Sequence, residues 1–195
     1  SSGVMGINVA HELAHRVNNK MEPILSKIML WTTLYMHWGL EHVVGHHRWV
    51  ATLEDPATAR LGESFYKFWP RTVGEGFNKA WEFEAGRMKK LGVNVWSLKN
   101  PMVRALIVQI ALTAGMAAVF GGMGVFYFIA QSVFAFSLLE VVNYIEHYGL
   151  LRIKKDDGTY EPVTPLHSWN YSNWLTNRFL FNLQRHSDHH YKPGN

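Results

Sequence analysis

The chain has no cysteine among its 195 residues. That absence excludes disulfides, thiolate zinc sites and cysteine-ligated iron–sulfur clusters. Any redox chemistry must therefore draw its electrons from outside this chain. Runs of Lys/Arg and recognised nucleic-acid motifs are also missing. The charge is mildly basic, 19 Lys+Arg against 15 Asp+Glu for a formal +4. Without a motif this does not point to nucleic acid. It suits a surface facing anionic lipid or an acidic partner. There are no internal repeats or low-complexity tracts. The sequence opens "SSGVMGIN" with neither an initiator Met nor a signal-peptide pattern, and it reads as a fragment of a longer protein. Its length suffices for a single domain, 1–195, with a real core.

What is present is dominated by one apolar run, "VRALIVQIALTAGMAAVFGGMGVFYFIAQSVFAFSLLEVV", residues 103–142. Forty residues of helix would span about 60 Å, twice a bilayer core. "GGMG" at 121–124 sits near the middle. The expectation is two transmembrane helices, 103–121 and 124–142, joined by a Gly-rich turn, with a buried helical hairpin in a soluble protein as the alternative. Lys89, Lys90, Lys99 and Arg104 precede the run, Arg152, Lys154 and Lys155 follow it, and the turn is uncharged. The positive-inside rule then places both ends in the cytoplasm.

A second apolar segment, "PILSKIMLWTTLYMHWGL" at 23–40, carries Lys27 and His37. If His15 and His42 share a metal site, the chain between them must cross the bilayer an even number of times, and two crossings do not fit. This segment is expected to be a buried or interfacial helix on the cytoplasmic side. Residues 50–100 read as short helices and loops at the membrane surface. "KKDDGTYEP", 154–162, reads as a solvated turn or short hairpin.

Eleven histidines is a high count for this length, and nine of them cluster. "HELAHR" gives His11 and His15. "EHVVGHHRW" gives His42, His46 and His47. "NYIEHYGL" gives His147, and "LQRHSDHH" gives His186, His189 and His190. Helical residues three or four apart share a face, so each cluster aims imidazoles at one point. Taken alone, "HELAH" is the signature of a zinc protease, with Glu12 as general base. A tetrahedral zinc takes about four ligands, however, and would leave most of these histidines idle. The set suits two metals with four or five nitrogens each. Imidazole accepts Zn, Cu, Fe or Ni, so ligand type does not choose between them.

Several carboxylates adjoin these histidines. Glu12, Glu41, Glu146 and Asp188 are expected to accept the free ring N–H groups, fixing tautomer and basicity. Glu140 and Asn143 precede His147 on the same helix and are expected to line the cavity. Glu140 lies in an apolar helix, where a charge is costly and usually paired or functional. His37 and His167 are expected to be structural or to support the ligands from behind.

Read in order, "HELAHR", "EHVVGHH", "NYIEHYGL" and "LQRHSDHH" resemble the membrane-bound alkane hydroxylases (alkane 1-monooxygenases). "ATLEDPATARLGESFYKFWPR", 51–71, and "LHSWN", 166–170, are also similar to that family. The resemblance runs from about residue 3 to residue 190. HxxxH and HxxHH boxes occur throughout the membrane di-iron superfamily, fatty-acyl desaturases included. "NYIEHYGL" points to the alkane or xylene monooxygenase branch. Arg16 stands where Lys is common, and two valines in "EHVVGHH" stand where polar residues are common.

The resemblance implies an all-α integral membrane protein with the desaturase-like histidine-box fold. His clusters in 1–50 and 143–195 would lie on the cytoplasmic side of the bacterial inner membrane. The nine histidines would bind two iron ions, and O2 would hydroxylate the terminal carbon of a medium- or long-chain n-alkane taken from membrane lipid. Phe126, Phe134, Phe136 and Leu139 would be candidates to wall the cavity. A rubredoxin or ferredoxin with its reductase would supply electrons, with Arg16, Arg48, Arg178 and Arg185 as candidate docking cations. A related xylene-type hydroxylase or fatty-acyl desaturase is the alternative reading, and a zinc protease a distant one.

Overall fold

The computed structural model describes residues 21–170. Helix α1 is Met21–Trp31, α2 is Met36–Glu41, a π-helical turn covers His42–His46, and α3 is His47–Trp49. Helix α4 is Phe65–Lys90, α5 is Pro101–His147, and a 3-10 turn covers Pro165–His167. Among the described residues there is no strand, only an isolated antiparallel bridge between Lys154 and Tyr160. That bridge closes the "KKDDGTYEP" segment as a small turn, with Lys155 N–H donating to Thr159 O at 2.7 Å.

Residues 65–90 are where the structure departs from the expectation of short helices and loops. They form one helix of 26 residues. Pro70 and three glycines lower its local helix propensity, which is why the pattern reads as broken. Tertiary packing overrides that. Phe68, Thr72, Gly76, Ala80, Glu84 and Met88 recur every four residues and are all buried, a continuous stripe facing the protein. Pro70 removes the partner of the Tyr66 carbonyl, and Tyr66 is 88% exposed, where water can replace it. The helix stops in a Schellman motif: Gly92 has φ +65, its N–H reaches Lys89 O, and Val93 N–H reaches Met88 O, both at 3.0 Å.

Helix α5 starts on a strong signal. Asn100 caps it by accepting Met102 N–H at 2.8 Å, and Pro101 occupies the first turn. The element is 47 residues long, interrupted at Gly121 (φ 63, ψ −162). A Cβ on Gly124 would lie 3.1 Å from Met116 O, eight residues back. In a straight helix eight residues span about 12 Å, so the chain bends sharply at this glycine run. Among the described residues α5 is the one helix long and apolar enough to cross a membrane. Only 11% of its most apolar window is buried inside the protein, unlike the core helix of a soluble domain.

The core sits where α1, α2 and the later half of α5 meet: Leu30, Tyr35, Trp38, Ala135 and Leu139, with Phe136 and Val73 against it. Tyr35 stacks on Phe136 at 4.7 Å, and Phe136 on Trp69 at 5.7 Å. Phe126 and Phe134, by contrast, are exposed. They are not positioned to wall an internal cavity. Helix α1 keeps Ile24, Leu25 and Ile28 exposed, an apolar outer face consistent with an interfacial helix.

Candidate metal centre

A regular α-helix would separate His42 from His47 by about 140° around its axis. The π turn removes that separation. In it the His47 N–H donates to the His42 carbonyl, five residues back, so residues five apart stack on one face. His42 Nε2 and His47 Nε2 come within 3.3 Å. The His46 ring lies 5.0 Å from the His42 ring and 4.7 Å from that of His147, delivered by the end of α5. His42, His46 and His147 are each at most 1% exposed. Trp38 stacks on His42 at 4.4 Å with rings 22° apart, holding its plane.

Two imidazole nitrogens 3.3 Å apart are spaced as neighbouring ligands of one ion. At about 2.1 Å per metal–nitrogen bond they would subtend roughly 100°. The His42–His47 pair thus fits a metal by donor type and spacing, with the buried rings of His46 and His147 beside it. Among the described residues no three His, Asp or Glu side chains close a coordination shell by themselves. The other expected ligands, His11, His15, His186, His189 and His190, lie outside the described residues, as do Glu12 and Asp188.

Glu140 is fully buried and, with Asn143, lines a small cavity that Glu41 and His37 also border. Tyr35 OH donates to Glu140 Oε1 at 2.8 Å, while Thr72 Oγ1 and Asn143 Nδ2 donate to Oε2 at 3.2 and 3.3 Å. Glu41 is buried behind His42, and its Oε1 has no hydrogen-bond partner. Burial, reinforced by the Asp55 charge, pushes its carboxyl up to about 8. Among the described residues it bonds no histidine. Glu146 is buried beside His147, and its backbone carbonyl accepts the Trp169 N–H at 2.8 Å.

His37 and His167 stay out of the cluster. His37 is packed edge-on against Tyr35 and Phe77, and burial lowers it to about 4. His167 caps its own turn through Thr164 and reaches Glu161 Oε1 at 3.2 Å.

The carboxylate that engages a histidine of the cluster is none of those adjoining the histidines in sequence. Asp55 Oδ2 lies 2.9 Å from His46 Nδ1, and both side chains are fully buried. Burial opposes charge on both groups, but their mutual attraction prevails, lowering Asp55 and raising His46. Ser168, from "LHSWN", sets its Oγ 3.5 Å from His147 Nδ1. Asp55 belongs to no histidine box. Its only sequence signal was its place in "ATLEDPATAR", a segment noted for resemblance and not for chemistry.

The family described as fatty acid desaturase matches residues 2–194. The chain is 45% identical over 189 residues to the alkane 1-monooxygenase of Acinetobacter baylyi, covering 97% of this chain and 46% of that protein. It is 44% identical over 188 residues to alkane 1-monooxygenase 2 of Pseudomonas aeruginosa, covering 96% of this chain and 50% of that protein. The xylene/toluene monooxygenase hydroxylase component of Pseudomonas putida is more distant, at 27% over 198 residues, 97% of this chain and 50% of that protein. The chain spans about half the length of these curated relatives.

Proposed function

Because the chain belongs to the fatty acid desaturase family, we propose that it carries most of the metal centre of an alkane 1-monooxygenase. The observation behind this reading is the convergence of His42, His46, His47 and His147, with 3.3 Å between the first and third. Relatives named alkane 1-monooxygenase, at 40–45% identity along nearly the whole chain, support the same assignment. The reaction converts a medium- or long-chain n-alkane, O2, two electrons and two protons to a primary alcohol and water.

His11, His15, His42, His46, His47, His147, His186, His189 and His190 would hold two iron ions, which supply O2 activation when bound. The chain's own residues do the rest. Trp38 and Asp55 hold two ring planes. Trp38 belongs to the packed core with Leu139 and covers one face of the His42 ring. Glu140, Thr72, Asn143 and Tyr35 form a satisfied polar network beside it, so the buried carboxylate is not left uncompensated.

The apolar halves of α5, 103–121 and 124–142, form the proposed transmembrane hairpin in the bacterial inner membrane, with its turn away from the cytoplasm. The exposed apolar surface of α5, with both flanking cation clusters at its ends, supports that orientation. An alkane dissolved in lipid would then reach the site without crossing water. These 195 residues hold no cysteine and so no cysteine-ligated cluster, and a rubredoxin or ferredoxin with its reductase is the electron donor in this reading. Of the candidate docking cations, Arg48 lies over the Trp49 ring at 4.9 Å and next to His47; Arg16, Arg178 and Arg185 lie outside the described residues.

The test uses the full-length source protein in detergent or nanodiscs, given rubredoxin, reductase, reduced nicotinamide cofactor and n-octane. Iron at about two per chain and 1-octanol as product are expected, both lost in His147→Ala. An alkene, a mid-chain alcohol, or zinc retained in His147→Ala would overturn the reading.

A further inference from the structure

We propose that Asp55 is a positioning residue for His46, and that Arg71 on α4 braces the loop that presents it. The proposal rests on His46 being a metal ligand, but its geometric basis is separate from the histidine cluster.

Two donors to Asp55 are set by residue type. Its carboxylate accepts Thr58 Oγ1–H at 2.5 Å and Ala57 N–H at 3.0 Å, and it lies 2.9 Å from His46 Nδ1. The Thr58 hydroxyl in turn accepts Ala51 N–H at 2.9 Å while giving its own proton to Asp55. An ionised carboxylate has no proton to give. The proton between Asp55 and His46 therefore belongs to Nδ1, and Nε2 is left as the lone-pair nitrogen. A ring flip or tautomer change would strand a buried carboxylate, which is costly. Asp55 thereby presets which nitrogen His46 offers to a metal.

Two cations of α4 hold the backbone on either side of Asp55. Arg71 donates to Pro56 O and Thr58 O, each at 3.1 Å, while Glu63 grips the same guanidinium through both oxygens at 2.8 Å. Two turns later, Lys79 donates to the Glu54 carbonyl. The carbonyls of residues 54, 56 and 58 are thus all tied to one helix. The loop enters through Ala51, buried and left-handed at φ 56, a conformation that costs energy in a non-glycine residue. A chain held this way is not free to relax away from His46. Lysine at position 71 would keep the charge but lose the fork that spans Glu63 and two carbonyls.

The experiment uses the full-length protein with Co(II) as probe, titrated against a competing chelator. In parallel, magic-angle spinning NMR of metal-free protein with isotope-labelled histidine reads the His46 tautomer, assigned with His46→Gln. Wild type is expected to show the Nδ1–H form. Asp55→Ala should mix the tautomers and weaken Co(II) binding by roughly 10–100-fold. Arg71→Lys should give a smaller loss in the same direction. Thr58→Val, which removes one bond to Asp55 and preserves shape, serves if Asp55→Ala does not fold, with the same direction expected. Wild-type tautomer and wild-type Co(II) affinity in the Asp55 or Thr58 variant would overturn the proposal while leaving the metal centre standing. A tautomer that depends on Asp55 in a protein that binds no Co(II) would instead overturn the metal-centre reading, and with it the role of Asp55 toward a metal.

Discussion

The Tyr35 hydroxyl donates to Glu140 Oε1 across 2.8 Å, joining residues 105 positions apart in the sequence. Tyr35 stands at the entry to α2, whose continuation carries His42 and His46. Glu140 stands two turns before His147 on α5. The bond is therefore a tie between the two elements that bring histidines together, and it lies wholly in the interior.

Tyr35→Phe removes that donor and leaves one oxygen of a buried carboxylate short of a partner. A loss of about 1–3 kcal/mol is expected in chaotrope unfolding. Combining it with Glu140→Gln should give less than the summed losses of the two single variants, by at least about 0.5 kcal/mol. Strict additivity would mean the hydroxyl contributes nothing through Glu140.

Gly45 has no room for a methyl group. A Cβ there would sit 2.7 Å from Glu41 Oε1 and 3.0 Å from Phe83 Cε2. Gly45→Ala should destabilise by about 1–3 kcal/mol and lower metal retention, because it distorts the turn carrying His42 and His46. Gly86→Ala on α4 meets nothing within 4 Å. It should instead stabilise by up to about 1 kcal/mol. Equal effects from the two substitutions would contradict this packing.

The Glu63–Arg71 fork predicts an acid dependence. Hydrogen bonding from Arg71 holds the Glu63 carboxyl below its usual 4.5. A depressed carboxylate contributes its stability in full above the unfolded value and loses it as pH falls through the folded one. Wild type should therefore exceed Glu63→Gln in thermal stability at pH 6–7, and the gap should close progressively below 4.5. A gap that persists unchanged at pH 3 would rule the ion pair out as its source.

His37 runs the same way for a different reason. Burial alone keeps it neutral down to about 4, against 6.5 when exposed. Between those two values the unfolded chain takes up a proton that the folded chain resists, so acid destabilises by up to roughly 3 kcal/mol. His37→Phe keeps the edge contacts to Tyr35 and Phe77 and should flatten the pH 6.5 to 4 portion of the stability curve. An unchanged slope would show that His37 is open to solvent.

The sequence alone determined the helical class, the apolar run with its glycine break, and the histidines worth watching. Those features are local: composition, periodicity and residue type carry them without reference to distant chain. It also suggested which carboxylates adjoin histidines, and that is where locality failed. Adjacency along a helix places Glu41 next to His42 in sequence yet aims it elsewhere, because neighbours on a helix point in different directions. The residue that bonds His46 is Asp55, nine positions on, brought back by a left-handed turn at Ala51 and by the cations of α4. The convergence of His42 with His47 likewise depended on a π turn, which has no strong sequence signature, and that of His46 with His147 on packing between α2 and α5. Residue chemistry is written in the chain. Which groups face each other is decided only when buried polar groups must find partners in a closed interior.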